Sequence, residues 1–105
     1  MTDLNVKKIV ENQIDTFLHA GALSLNLRNQ GLKKEIKSDN SPVSNGDIEV
    51  NKIITKKIKE LTPELPIISE EAAENKTKEN LKDFWLVDPI DGTYEYINNL
   101  DEFTI

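Results

Sequence analysis

The chain has 105 residues, enough for one small domain or part of a larger one, and too few for two independent domains. Its 37% hydrophobic and 30% charged residues are typical of a globular protein rather than a disordered or membrane-embedded chain. The 13 basic and 19 acidic residues leave a net charge of −6, which argues against nucleic-acid binding. The absence of cysteine excludes disulfides and thiolate metal sites, and a single histidine disfavours a Ser-His-Asp triad. Any chemistry must therefore depend on carboxylates.

The first third of the chain predicts a helix followed by a strand. Apolar residues recur every three or four positions from Leu4 to about Leu27, which predicts one amphipathic helix that Asp3 caps and Gly31 ends. Residues 32–37 alternate weakly between apolar and polar, so we expect a half-exposed strand there.

The middle of the chain predicts a turn, a second helix and a short strand. Residues 38–46 concentrate turn-forming side chains, and Pro42 favours an extended residue before it. The apolar spacing that follows predicts a helix from about Asp47 to Leu61, and residues 67–69 predict a buried strand. Residues 72–82 are expected to form a charged, exposed and mobile connection.

The last quarter contains the most strand-like run of the sequence, residues 84–87, and we predict a short helix over residues 93–98 after it. Residues 101–105 alternate between polar and apolar without a closing turn or a polar tail. This pattern predicts a strand interrupted in mid-run, so we expect the chain to be the N-terminal portion of a longer protein.

Two carboxylates follow the strand at residues 84–87. Asp88 and Asp91 flank a Pro-Ile pair that must turn the chain, so both side chains can converge beyond the strand end. Mg²⁺ prefers anionic oxygen ligands together with water and substrate phosphate. Gly92 then allows a ligand to approach the backbone where the next helix begins. The alternative is structural: Asp88 as a loop carboxylate and Asp91 as a helix N-cap.

Two further acids have both a functional and a structural interpretation. Glu70 and Glu71 end the strand at residues 67–69, and only one of them can enter a site because neighbouring side chains on a strand point to opposite faces. The structural alternative is a solvated strand end. Asp47 opens the second helix, where an N-cap is the structural alternative.

Three segments together resemble the inositol monophosphatase superfamily of Mg²⁺-dependent, lithium-sensitive phosphatases. The segments are Lys37-Ser-Asp-Asn-Ser-Pro-Val-Ser-Asn-Gly-Asp47, Ile68-Ser-Glu-Glu71 and Trp85-Leu-Val-Asp-Pro-Ile-Asp-Gly-Thr93. Within the superfamily, Gly92-Thr-Tyr-Glu-Tyr-Ile97 and Glu102-Phe-Thr-Ile105 look most like the bacterial 3'(2'),5'-bisphosphate nucleotidases. Two positions depart mildly from the family pattern, with Ser44 at a usual threonine and Gly46 at a usual alanine.

The resemblance implies a role for each matching residue. Two or three Mg²⁺ ions would be held by Glu70, Asp88, Asp91 and the backbone carbonyl of Ile90, with Asp88 bridging two ions. Asp47 and Thr93 would orient and deprotonate the attacking water. Glu70, Asp91, Gly92 and Thr93 would also contact the substrate, with the backbone N–H groups of Gly92 and Thr93 around the phosphoryl group.

The resemblance also implies a fold and a reaction. The expected fold class is α+β, the N-terminal part of the layered αβαβα sugar-phosphatase fold, with two long helices on a mostly antiparallel sheet. Residues 1–105 would form the N-terminal metal-binding domain, and the expected reaction is hydrolysis of adenosine 3',5'-bisphosphate to AMP and phosphate. The last metal-binding aspartate and the nucleotide-recognising domain of the family are not in this chain, so little turnover is expected from these residues alone.

Several alternatives stay open at the level of sequence. The substrate could instead be inositol 1-phosphate or histidinol phosphate, or the chain could be an inactive fragment whose aspartates only shape a turn. We expect a cytoplasmic protein with no nucleic-acid partner and no transmembrane segment. Homodimerisation and peripheral attachment to the inner face of the membrane are left open.

Overall fold

The computed structural model describes residues 6–70 and 83–105. Its four helices are α1 (Val6–Glu11), α2 (Ile14–Gln30), α3 (Asn45–Leu61) and α4 (Thr93–Ile97). Its four strands are β1 (Lys34–Ile36), β2 (Pro42–Ser44), β3 (Ile67–Ser69) and β4 (Trp85–Val87). Asp3 and the connection at residues 72–82, both subjects of prediction above, lie outside the described residues. Within the described residues, no helix is long and apolar enough to cross a membrane.

The predicted first helix is two helices. A turn at residues 12–13 separates α1 from α2, and the amide of Phe17 already donates to the carbonyl of Gln13 across the start of α2. Helix α2 ends where predicted, at Gly31, whose φ of 97° is a conformation that favours glycine. Its predicted apolar stripe is largely exposed, and α2 instead buries the small residues Ala20 and Ser24. Small side chains allow α2 to pack closely on α3.

The polar segment predicted to be only a turn contains strand β2. Strands β1 and β2 form an antiparallel hairpin in which Ile36 pairs with Pro42 and Lys34 with Ser44. Asn40 adopts a φ of 68° in the turn, a region that asparagine tolerates better than most residues. Hydrogen bonds from Ser41 hold the pKa of Asp39 below its ordinary value. Pro42 is accommodated because it is the first residue of its strand.

The second sheet positions the acidic residues. Strands β3 and β4 are parallel, and Ser69 pairs with Val87 at their last described position. The described strands therefore form two separate two-stranded sheets, one antiparallel and one parallel, rather than the single, mostly antiparallel sheet that we expected. The strand predicted at residues 101–105 contributes a single antiparallel bridge between Asp91 and Thr104.

The core lies between α2, α3, α4 and the second sheet. Helix α3 supplies three of its buried aliphatic residues along one stripe, at the three- and four-residue spacing that the sequence predicted. The buried cluster comprises Ala20, Val50, Ile54, Ile58, Val87, Ile90 and Tyr96. Because this core holds α3 beside the end of β4, the N-terminus of α3 and the turn after β4 face each other.

Candidate active site

Asp47 is a fully buried carboxylate in the first turn of α3. Helix α3 begins at Asn45, and its N-cap is Ser44, so Asp47 is not the N-cap that the structural alternative assumed. One carboxylate oxygen, Oδ2, accepts hydrogen bonds from the backbone N–H (2.8 Å) and the hydroxyl (2.7 Å) of Ser44. The Ser44 hydroxyl in turn accepts from the Asp47 amide at 3.4 Å. This capping box fixes the carboxylate and leaves its second oxygen, Oδ1, for another partner.

Thr93 provides that partner from a segment 46 positions away. Its hydroxyl lies 2.9 Å from Asp47 Oδ1 and 3.2 Å from the carbonyl oxygen of Ile90. A hydroxyl has one proton to donate, so these two acceptors compete for it while the oxygen keeps lone pairs that can accept a bond from another molecule. The structure thus brings together the two residues predicted to act on water.

Glu70 and Asp88 follow strands β3 and β4 at the same end of a parallel pair. The register continues past the strands, since the amide of Glu70 donates to the carbonyl of Val87 at 3.2 Å. Asp91 comes after the buried Pro89-Ile90 pair, and all three acidic residues are exposed to solvent. In the described part of the chain, no three His, Asp or Glu side chains are grouped closely enough to hold a metal ion. The metal-binding roles of Glu70, Asp88, Ile90 and Asp91 therefore stay predictions.

Gly92 shapes the turn that presents Thr93. It is the N-cap of α4 with a φ of 91°, so Asp91 is not the cap that the structural alternative proposed. A Cβ atom at Gly92 would lie 2.8 Å from the carbonyl oxygen of Glu102 and 3.3 Å from the Cα of Phe103. The chain itself occupies the space that we expected a ligand to use on that side, which accounts for the glycine. Backbone donation from Gly92 and Thr93 to a phosphoryl group stays a prediction.

Tyr96 packs against the first turn of the helix that carries Asp47, a contact that the sequence analysis missed. Its buried hydroxyl donates to the carbonyl oxygen of Ser24 at 2.6 Å, and its ring packs against the first turn of α3 at Gly46. Burial, and then the negative charge of Asp47, raise the pKa of Tyr96 to about 12, while Arg28 acts in the opposite direction. The aromatic residue lay inside a predicted helix, where its apolar character indicated only a place in the core.

Asn51 and Ser69 form a second contact that the sequence analysis missed. The buried hydroxyl of Ser69 donates to the side-chain carbonyl of Asn51, one turn of α3 beyond Asp47. Ser69 immediately precedes Glu70. Helix α3 therefore touches both parts of the candidate site, the Thr93 turn through Asp47 and the end of β3 through Asn51.

Comparison with known proteins identifies the family to which this chain belongs. The sequence profile of the inositol monophosphatase family matches residues 5–105. The chain belongs to the inositol monophosphatase family. The resemblance stated from the three sequence segments is therefore confirmed.

Curated relatives of the family share substantial identity with this chain. It is 41% identical over 73 residues to a protein named 3'(2'),5'-bisphosphate nucleotidase CysQ from Haemophilus influenzae, and the match covers 68% of this chain and 27% of that protein. It is 43% identical over 70 residues to the protein of the same name from Buchnera aphidicola, with coverage of 66% and 26%. The chain thus matches about a quarter of the length of these relatives.

Two solved structures share the fold of this chain. The extragenic suppressor protein suhB from Bartonella henselae superposes with a TM-score of 0.77 at 23% identity, over 91% of this chain and 38% of that one. An IMPase from Thermotoga maritima superposes with a TM-score of 0.73 at 25% identity, over 90% and 36%. The predicted α+β class, as the N-terminal part of this fold, is confirmed.

Proposed function

We propose that this chain is the metal- and phosphate-binding part of a Mg²⁺-dependent phosphomonoesterase of the 3'(2'),5'-bisphosphate nucleotidase type. The observation that carries the proposal is the hydrogen bond between the Thr93 hydroxyl and the buried Asp47 carboxylate, beside the acidic ends of β3 and β4. The names of the relatives at 41–43% identity support the nucleotidase type.

Thr93 and Asp47 are the residues that would orient and deprotonate the attacking water. A water that attacks phosphorus must be oriented and must lose a proton. The Thr93 oxygen can accept a hydrogen bond from that water, and Asp47 Oδ1, at 2.9 Å, is the nearer of the two acceptors that compete for the Thr93 proton. Because Ser44 occupies Asp47 Oδ2 with two hydrogen bonds, Oδ1 is the oxygen left to take up the proton.

Glu70, Asp88, Asp91 and the carbonyl of Ile90 offer the oxygen ligands that Mg²⁺ prefers. The parallel register places Glu70 and Asp88 at one edge, and like-charged carboxylates that share an edge favour a bound cation. Two or three Mg²⁺ ions held by these residues would supply a water of lowered pKa and would neutralise charge on the phosphoryl oxygens. The backbone N–H groups of Gly92 and Thr93 would contact the same phosphoryl group, and Glu70 and Asp91 would contact the substrate through the metal.

The substrate that we propose is adenosine 3',5'-bisphosphate, which would be hydrolysed to AMP and phosphate. Inositol 1-phosphate is the second candidate, because the chain also shares 25% identity and the fold with an IMPase. We place the protein in the cytoplasm, with a small phosphorylated molecule as its partner.

Phosphate release by the full-length protein tests the function. With Mg²⁺ present, we expect release from adenosine 3',5'-bisphosphate to exceed release from inositol 1-phosphate and histidinol phosphate. Thr93→Val keeps the shape of the side chain and removes the hydroxyl, so kcat should fall about 10²- to 10⁴-fold. Thr16→Val, in the first turn of α2 and beside Ile53 and Lys56 of α3, is the matched control and should keep wild-type kcat. Absence of release from all three substrates would contradict the proposal.

A further inference from the structure

Arg28 joins helix α2 to the segment that follows α4. It lies in the last turn of α2, and its guanidinium donates to the carbonyl oxygen of Leu100 at 2.8 Å and lies 3.5 Å from the carboxylate of Asp101. The guanidinium carbon is 4.9 Å from the ring centre of Phe103 and 5.7 Å from that of Tyr96. The side chain is only 11% exposed although it carries a full charge. These contacts fasten residues 100–103 to α2.

The segment that Arg28 fastens is also bound to the turn of the candidate site. Asp91 and Thr104 exchange two backbone hydrogen bonds of 2.9 and 3.0 Å. The carbonyl of Glu102 and the backbone of Phe103 pack against Gly92, the residue directly before Thr93. The position of residues 91–93 therefore depends on the position of residues 100–104.

Burial of Arg28 costs more solvation free energy than burial of an apolar side chain at the same position would cost. A charged side chain loses solvation when it is buried, and its Nε is buried without a hydrogen-bond partner among the described residues. An apolar side chain of similar length could fill the same space without that loss. The planar guanidinium offers what such a side chain cannot, namely simultaneous directed bonds to a carbonyl and a carboxylate while it covers two aromatic rings.

We propose that Arg28 is a positioning residue that fixes the Asp91–Thr93 turn, and so the Thr93 hydroxyl, through residues 100–104. The proposal rests on the proposed function where it concerns turnover. Its effect should fall on kcat rather than on substrate affinity, because it acts on the orientation of the Thr93 hydroxyl towards Asp47. Small displacements of an orienting group are costly at the transition state.

Hydrogen exchange tests the physical connection without reference to activity. In Arg28→Met, we expect the amides of Asp91 and Thr104 to exchange about tenfold faster or more, while the amides of α3 keep their wild-type rates. Lys52→Met is the matched control, because Lys52 forms an exposed ion pair with Glu49 at 3.2 Å on the outer face of α3. It should leave the exchange of both amides unchanged.

Kinetics of the full-length protein test the effect on turnover. Arg28→Met should lower kcat about tenfold with KM within about twofold of wild type, and Arg28→Lys, which keeps the charge but lacks the planar fork, should recover only part of kcat. If Arg28→Met does not fold, the exchange rates and kcat of Arg28→Lys decide whether Arg28 positions the Asp91–Thr93 turn. A lower melting temperature with unchanged kcat and unchanged exchange at Asp91 and Thr104 would overturn the proposal. If the wild-type protein hydrolyses no phosphomonoester, the proposed function fails, and the exchange rates alone decide the role of Arg28.

Discussion

At the scale of single residues, Gly46 and Tyr96 depend on each other. A Cβ atom at Gly46 would lie 2.3 Å from the Tyr96 hydroxyl oxygen and 2.6 Å from the nearest ring carbon. Tyr96 cannot retreat easily, because it is fully buried and its hydroxyl donates to Ser24. The absence of a side chain at position 46 therefore makes space for the tyrosine ring and its hydroxyl.

Gly46→Ala should therefore destabilise the protein. Overpacking of a core typically costs about 1–3 kcal/mol, and we expect a loss of that order in the free energy of unfolding measured with urea. Gly21→Ala is the matched control. Apart from the neighbouring backbone of α2, no atom of the described residues lies within 4 Å of its new Cβ. Alanine favours a helix over glycine by about 1 kcal/mol, so this variant should be as stable as wild type or more stable.

A double variant isolates the steric conflict. Adding Tyr96→Phe to Gly46→Ala removes the atom nearest to the new methyl group and frees the ring to move. The double variant should therefore lose less stability than the sum of the two single variants. Additive losses would show that the two side chains do not conflict.

At the scale of elements, Ser44 links the β1–β2 hairpin to helix α3. It ends β2, caps α3 and holds Asp47 Oδ2 with two hydrogen bonds. A lost N-cap typically costs about 1 kcal/mol. In this structure the same hydroxyl also fixes the orientation of a buried carboxylate.

We expect Ser44→Ala to lower both stability and turnover. The free energy of unfolding should fall by about 1–2 kcal/mol, as for other buried caps, and kcat should fall because Asp47 Oδ1 is no longer held towards Thr93. Ser44→Thr keeps the hydroxyl, so it should remain near wild type in urea unfolding and in phosphate release. A loss of kcat in Ser44→Thr as large as in Ser44→Ala would argue against this role of the hydroxyl.

The elements also show which features a sequence can predict. Helix α3, strands β3 and β4 and helix α4 were predicted within a few residues, because their patterns of apolar residues and their breakers are local. The break between α1 and α2 and the strand β2 were missed, since neither carries a local apolar signal that outweighs its neighbours. The pairing of Asp47 with Thr93 was implied only by family resemblance. Arg28, Tyr96 and Asn51 were missed because their contacts join distant segments, which spacing along the chain does not reveal.

At the scale of the whole molecule, three acidic residues follow the strands of the second sheet at the same end. Glu70 and Asp88 end its two parallel strands, and Asp91 follows in the turn that is bridged to Thr104. A divalent cation that binds these acidic groups only in the folded state would stabilise that state by mass action. The thermal stability of the protein should therefore depend on Mg²⁺.

Melting curves with and without Mg²⁺ test this dependence. We expect Mg²⁺ at about 100 times its Kd to add about 2.7 kcal/mol to the stability of the full-length protein and to raise Tm accordingly. Asp88→Asn should abolish both this increase and Mg²⁺-dependent hydrolysis, because the amide replaces an anionic ligand. Asp15→Asn removes the same charge from an exposed position on α2 and should keep the full response to Mg²⁺. An equal rise in Tm for Asp88→Asn and wild type would show that the cation binds elsewhere, and would remove Asp88 from the proposed metal site.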